Sequence, residues 1–206
     1  MAAAEERLVA VLGHGQQQGF LGPGDLLAHV EHARAHHAAA RPMPGQRWCD
    51  LGSGGGVPGL VMALEQPSIE FVLLDRSQRR VDFLETAVQD LELADRVTVA
   101  LGDAAELAHL SHHRHAYDGV VSRAFGPPAA VAECSAGLLR AGGRLVVSEP
   151  PGCGDTRWPP DALAQLGMRF VQRTAGAPTF AELECLTAVD PAYPRSWKQI
   201  RKRPLF

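Results

Sequence analysis

The stretch Arg47-Trp48-Cys49-Asp50-Leu51-Gly52-Ser53-Gly54-Gly55-Gly56-Val57-Pro58-Gly59 decides the fold. It opens as a short run rich in apolar residues, the mark of a strand buried on both faces of a parallel sheet. The glycines that follow let the backbone turn sharply and approach a ligand, while the next helix presents its free N–H groups. Gly54-x-Gly56-x-x-Gly59 matches the dinucleotide fingerprint in form, and that match is weak on its own.

Outward from this turn, short apolar runs alternate with helical patterns, which predicts an α/β fold with a parallel sheet. Strands are expected at 47–51, 71–75, 97–101, 119–122 and 144–148. Between the second and third, Val81, Leu84, Val88 and Leu91 recur at spacings of three and four and mark one buried helix face. A second apolar face at Val131, Leu138 and Leu139 precedes Ala141-Gly142-Gly143, read as a helix stop. Two extended stretches, 168–174 and 182–188, could close the sheet as a hairpin. Residues 1–46 read as a helical extension in two pieces, broken at Gly13-His14-Gly15 and at 19–24. Residues 47–206 read as one domain with no internal repeat.

Composition bounds the function. With 206 residues, 46% hydrophobic and 21% charged, the chain is neither collagen-like, coiled-coil nor wholly disordered. It has no apolar run of about 18 residues, and acids stand where a secretory leader would carry bases, so no membrane partner and a cytoplasmic location are expected. Cys49, Cys134, Cys153 and Cys185 are scattered without a CxxC pair, so reduced thiols are the expectation. The net charge of -3 hides an asymmetry: residues 195–206 hold Arg195, Lys198, Arg201, Lys202 and Arg203 and no acid, which leaves -8 for the rest. A basic end on an acidic body suits contact with a polyanion, and a solvated tail is the alternative.

The chemistry is legible at the strand ends. Asp50, ahead of the glycines, can meet a cationic amino group and would repel a pyrophosphate. Asp75 ends the second strand 19 residues after Gly56, where a carboxylate can accept hydrogen bonds from two ribose hydroxyls. The turn Gly102-Asp103-Ala104-Ala105-Glu106 ends the third strand. Open α/β sheets bind ligands at such ends. His29, His32, His36 and His37, and a second group His109, His112, His113 and His115, carry no zincin motif and no accompanying cysteine, so exposed histidines and no metal are expected. Trp48 reads as core, and Trp197 as either a base-stacking residue or one packed on the body.

Asp50-x-Gly52-x-Gly54-x-Gly56, together with Leu74-Asp75, Arg79-Arg80-Val81-Asp82-Phe83-Leu84, Ser122-Arg123-Ala124, Leu139-Arg140-Ala141-Gly142-Gly143 and the terminal Tyr193-Pro194-Arg195 and Lys202-Arg203-Pro204-Leu205, resembles the bacterial GidB family. Its members are AdoMet-dependent methyltransferases acting on guanine N7 of small-subunit ribosomal RNA. The resemblance covers about 47–148 and the last 14 residues, and Ser-Arg-Ala with the tail is its more specific part. It implies a class I methyltransferase, Rossmann-like fold: a seven-stranded, mostly parallel sheet, its last strand antiparallel, with helices on both faces. It also implies S-adenosyl-L-methionine held by Asp50, Gly52, Ser53, Gly54, Gly56, Asp75, Asp103, Ala104, Ala105 and Glu106. Arg123 would sit by the methyl donor and target base, while Arg195, Lys198, Arg201, Lys202 and Arg203 would grip 16S rRNA in the small subunit. AdoMet binding is expected to survive loss of the tail unless the tail packs over the strand ends.

Two features depart from the family. The first 46 residues contain neither Trp nor Asn, where the family carries Trp-Asn and Asn-Leu-Thr, and Glu149-Pro150 stands where it has Lys-Gly. An anion there would oppose RNA. A paralogue acting on a small molecule or another RNA, or a non-catalytic RNA-binding protein of the same fold, remains an alternative at this point.

Overall fold

The computed structural model describes residues 2–206; Met1, where the N-terminal reading begins, lies outside the described residues. The strands are β1 (Arg47–Leu51), β2 (Glu70–Asp75), β3 (Val97–Leu101), β4 (Tyr117–Ser122), β5 (Leu139–Glu149), β6 (Met168–Arg173) and β7 (Thr179–Cys185). They form one sheet in the order β3-β2-β1-β4-β5-β7-β6. The first five are parallel, and β7 runs antiparallel to both β5 and β6. The expected seven-stranded, mostly parallel sheet is therefore present. Strand order reverses between β1 and β4, which opens the crevice where such sheets bind ligands.

The helices are α1 (Ala2–Gln17), α2 (Leu26–Ala40), α3 (Gly59–Glu65), α4 (Gln78–Asp90), α5 (Ala104–Leu107), α6 (Pro128–Leu138), α7 (Pro160–Gln165) and α8 (Trp197–Lys202). Alternation along the strands sorts them onto two faces. Trp48, Phe71 and Leu73 join Leu12, Val30, Leu60 and Leu84 in one core, so α1 to α4 cover that face. Cys49, Val72 and Leu74 join Val131, Leu163 and Ile200 in the other, beneath α6, α7 and α8. The N-terminal helices share the first core rather than standing apart. None of the described helices is long and apolar enough to cross a membrane.

Several boundaries differ from the sequence reading, each for a packing reason. α1 runs unbroken through Gly13-His14-Gly15, because Gly15 is there for contact: a Cβ on it would meet Phe83 Cζ at 2.9 Å. α6 stops at Leu138, and β5 begins at the next residue. Gly142, at φ +79°, lies inside β5. Tyr117 pairs with Leu139 and Gly119 with Arg144, so the glycines absorb a bulge instead of stopping a helix. β4 starts two residues earlier than expected, with Tyr117 buried against His113, and β7 is 179–185 rather than 182–188.

The C-terminal segment is bound tightly. Glu133 on α6 is fully buried, and Arg195 meets it with its backbone N–H and Nε on Oε1 (both 2.8 Å) and Nη2 on Oε2 (2.7 Å). His109 donates to the Pro194 carbonyl and Arg114 to that of Tyr193. Ile200 of α8 is 1% exposed.

Candidate functional site at the strand ends

The glycine turn is tied to its neighbours before any ligand arrives. The N–H groups of Gly52 and Ser53 both donate to the Leu74 carbonyl at the end of β2 (2.9 and 3.0 Å). Gly59 N–H donates to Asp50 Oδ2 at 2.9 Å, and a Cβ at Gly59 would stand 2.7 Å from that oxygen, so only glycine lets α3 start against the carboxylate. Gly54 N–H donates to Asp75 Oδ2 (3.0 Å), and Ser77 N–H to its Oδ1 (2.9 Å). Asp75 is buried, not exposed as a strand-end acid usually is, and it orders the turn, with Arg80 Nη1 3.5 Å from Oδ2. Asp103 caps α5 through Ala105 N–H at 2.8 Å.

A cavity of about 130 Å³ opens between these elements, lined by Gly52, Asp75, Arg76, Arg80, Gly102, Asp103, Ala104, Phe125 and Trp197 among others. Ser53, Gly54, Gly56 and Ala105 shape the turns behind it without lining it, and Glu106 is exposed outside it. Phe125, Arg76, Arg80 and Trp197 were not assigned to this cavity from sequence. The available signal was position: Arg76 follows Asp75, and Phe125 lies two residues past Arg123.

Deeper in, two buried atoms of opposite charge have no partner: Asp50 Oδ1 and Arg123 Nη1. Burial pushes the Asp50 carboxyl up to about 7, with the charge of Asp75 adding and Gly59 N–H and Arg123 opposing. Burial draws the Arg123 guanidinium down, and Asp50 counters it. Arg123 Nη2 donates to His29 Nδ1 at 3.0 Å; that leaves the proton on Nε2, which donates to the Gly22 carbonyl at 3.1 Å. His29 thus links Arg123 to the 19–24 loop, whose Phe20 carbonyl and Leu21 side chain cover Gly54 and Gly55.

The histidines are not the exposed set that the sequence suggested. His29, His36 and His113 are buried. His36 donates to the Val146 carbonyl (2.9 Å) and meets the Phe180 ring at a tilt of 38° with centroids 4.6 Å apart, and His32 bonds Ser148 Oγ (2.9 Å). Burial, aided by nearby Arg123, lowers His32 to about 4 and His36 to about 3, so both are neutral near pH 7.

Glu149 also differs from expectation. It is buried, accepting from Arg173 Nε and Cys153 Sγ on Oε2 and from Arg157 Nε and Trp158 Nε1 on Oε1. The anion is spent inside the fold. The basic tail divides: Arg195 is turned onto Glu133, which corrects the reading of a free cation there, whereas Lys198, Arg201, Lys202 and Arg203 are exposed and, among the described residues, form no ion pair.

The family described as rRNA small subunit methyltransferase G (GidB) matches residues 30–149. A ribosomal RNA small subunit methyltransferase G of Rhizorhabdus wittichii is 34% identical over 131 residues, covering 62% of this chain and 58% of that protein. One from Synechococcus elongatus is 38% identical over 111 residues, 52% of this chain and 46% of its own length. The chain thus spans about half the length of these curated relatives. Among solved structures, a SAM-dependent O-methyltransferase of Thermotoga maritima aligns at TM-score 0.57 with 13% identity over 78% of this chain and 66% of its own. A SAM-dependent methyltransferase of Geobacter sulfurreducens in complex with S-adenosyl-L-homocysteine aligns at 0.52 with 24% identity, over 70% and 66%. These two share the fold.

Proposed function

The chain belongs to the GidB family, and from that premise we propose that it is a cytoplasmic AdoMet-dependent methyltransferase acting on guanine N7 of 16S rRNA within the small ribosomal subunit. The observation that carries this reading is the pair of unpartnered buried atoms, Asp50 Oδ1 and Arg123 Nη1, beside the glycine turn. A buried charge without a partner is costly, and an α-amino acid supplies both missing partners at once, an ammonium for the carboxylate and a carboxylate for the guanidinium. Asp75 would hold the ribose diol, and the cavity between Asp75 and Asp103 would take the adenine.

AdoMet supplies a methyl group on a sulfonium, already electrophilic. The remaining work falls to the chain, and it is alignment. Asp50 and Arg123 fix the amino-acid end, with His29 positioning the guanidinium. Arg123 is half-buried, with Nη1 enclosed and Nη2 held by His29 of α2, which favours this role over contact with the RNA base. Guanine N7 carries no proton, so no side chain has to accept one, and His32 and His36 stay neutral nearby. Lys198, Arg201, Lys202 and Arg203 supply exposed positive charge for phosphates.

The test is incubation with methyl-labelled AdoMet and 30S subunits from cells lacking the modification, followed by digestion to nucleosides. Label in 7-methylguanosine supports the proposal. Label in another nucleoside, or none in RNA, overturns it.

A further inference from the structure

We infer that Trp197, delivered by the C-terminal helix α8, is a binding residue of the cofactor cavity and forms the aromatic wall against the adenine. The inference rests on the AdoMet reading above and goes beyond it, because it makes the basic C-terminal segment part of the cofactor site.

The cavity needs such a wall. Its sheet side is Gly52, Leu74, Asp75, Gly102, Asp103 and Ala104, which offers carboxylates and bare backbone but no flat apolar surface. Among the described residues, the rings lining it are Phe125 and Trp197. Phe125 is pressed onto the glycine turn: a Cβ at Gly52 would meet its Cδ2 at 2.6 Å. Trp197 meets Phe125 edge-on, with centroids 5.5 Å apart at 66°, and so extends the aromatic surface outward from the turn. Arg76, the residue after Asp75, lies 5.8 Å from the indole centroid, which closes the same side with a delocalised cation. A purine prefers such faces.

The indole is also held in place, as a ligand wall must be. On its N-terminal side Arg195 is locked onto buried Glu133, and on its C-terminal side Ile200 is buried. Ser196 caps α8 in a reciprocal box with Gln199. Between these anchors Trp197 is half-buried, while its neighbours Lys198 and Arg201 are exposed. A second cavity, about 280 Å³, lies on the far side of the same two rings and includes Arg201 and Phe206, so Trp197 and Phe125 stand as a partition between them.

The experiment is calorimetric titration of S-adenosylhomocysteine, and separately of adenosine, into the wild-type chain, Trp197→Ala, Trp197→Phe and a Glu85→Ala/Gln89→Ala double variant on the exposed face of α4. Aromatic–base stacking predicts that Trp197→Ala weakens S-adenosylhomocysteine roughly 5- to 150-fold, and adenosine by a similar factor. Trp197→Phe should retain most affinity, and the Glu85→Ala/Gln89→Ala control all of it. Circular dichroism checks each fold. Indole fluorescence provides a readout independent of the alanine variant: Trp48 and Trp158 are buried, so ligand-induced quenching should vanish in Trp197→Phe. If the wild type binds and Trp197→Ala binds within about twofold of it, the inference falls while the proposed function stands. Lack of binding by the wild type would overturn both.

Discussion

Two kinds of buried charge sit on this sheet, and they differ in how completely they are satisfied. Glu149 at the end of β5 accepts from four groups, and Glu133 on α6 accepts three hydrogen bonds from one arginine. Asp50 and Arg123, at the ends of β1 and β4, each retain a buried atom with nothing to bond. Saturated charges hold the fold, since removing one partner strands the other. Unsaturated ones mark where a ligand completes the structure. The comparison turns Glu149 from an obstacle to RNA into an anchor for the 153–158 loop, and it leaves Asp50 Oδ1 open for the cationic group proposed above.

The largest effect expected from this contrast is on stability. Arg195→Ala strands the Glu133 carboxylate in the core and should cost about 3–5 kcal/mol, read as a lowered denaturant midpoint. Because α8 is then released, AdoMet affinity should fall as well. If the unfolding free energy falls by less than about 1 kcal/mol, the ion pair is not an anchor.

Next comes Asp75, whose carboxylate orders the turn and is proposed to hold the ribose. Asp75→Ala should lose about 1.5–3 kcal/mol of AdoMet affinity, the range for hydrogen bonds to charged groups, and should also loosen the glycine turn, because Gly54 and Ser77 lose their acceptor. Asp75→Asn should lose less of the turn. Equal AdoMet affinity in all three proteins would remove Asp75 from the site.

A pH series sharpens the contrast further. Asp50 is raised in the folded chain from its ordinary value to about 7, so its contribution to stability is full below about pH 4 and is lost as pH rises through 7. Relative to Asp50→Asn, the ligand-free wild type should therefore lose up to about 1.4 kcal/mol per pH unit across that window. A cation bound at Asp50 favours the carboxylate, so AdoMet affinity should rise with pH up to about 7 in the wild type and stay flat in the variant. His36 works in the opposite sense. Held down at about 3, it contributes stability present above about pH 6.5 and lost as pH falls towards 3, as does His32 at about 4; both are shared by wild type and Asp50→Asn, so their difference isolates Asp50.

The smallest effect concerns the tail. With Arg195 committed to Glu133, four exposed cations remain, and replacing Lys198, Arg201, Lys202 and Arg203 by alanine should flatten the log affinity against log salt slope for RNA by up to about 3 units, while the melting temperature hardly moves. An unchanged slope would make the segment a structural element alone.

The sequence made the sheet and the glycine turn legible because both are local: apolar runs and glycines write strand and turn directly, and β1 and β3 lie where the pattern puts them. Partners distant in sequence were not legible. Nothing near Arg195 reveals Glu133, 62 residues away, and nothing near Glu149 shows Arg173, which pairs with it from another strand. The histidines misled for a related reason. Residue type suggests exposure, whereas His36 is placed by a carbonyl 110 residues on. Glycine was ambiguous in the same way: Gly15 serves helix packing, and Gly142 serves a bulge. Trp197 fell between the two cases, since its place in the basic tail was plain and its cavity was not.

The central claim, that an unsatisfied buried charge marks the cofactor site and a saturated one marks an anchor, is tested most directly by titrating AdoMet into wild type, Asp50→Asn and Glu149→Gln in one calorimetric series, with the melting temperature of each ligand-free protein measured alongside. The account predicts that Asp50→Asn loses AdoMet affinity at least tenfold with its melting temperature held or raised, and that Glu149→Gln melts lower yet binds AdoMet as the wild type does once folded. Asp50→Asn binding AdoMet as tightly as the wild type would contradict it.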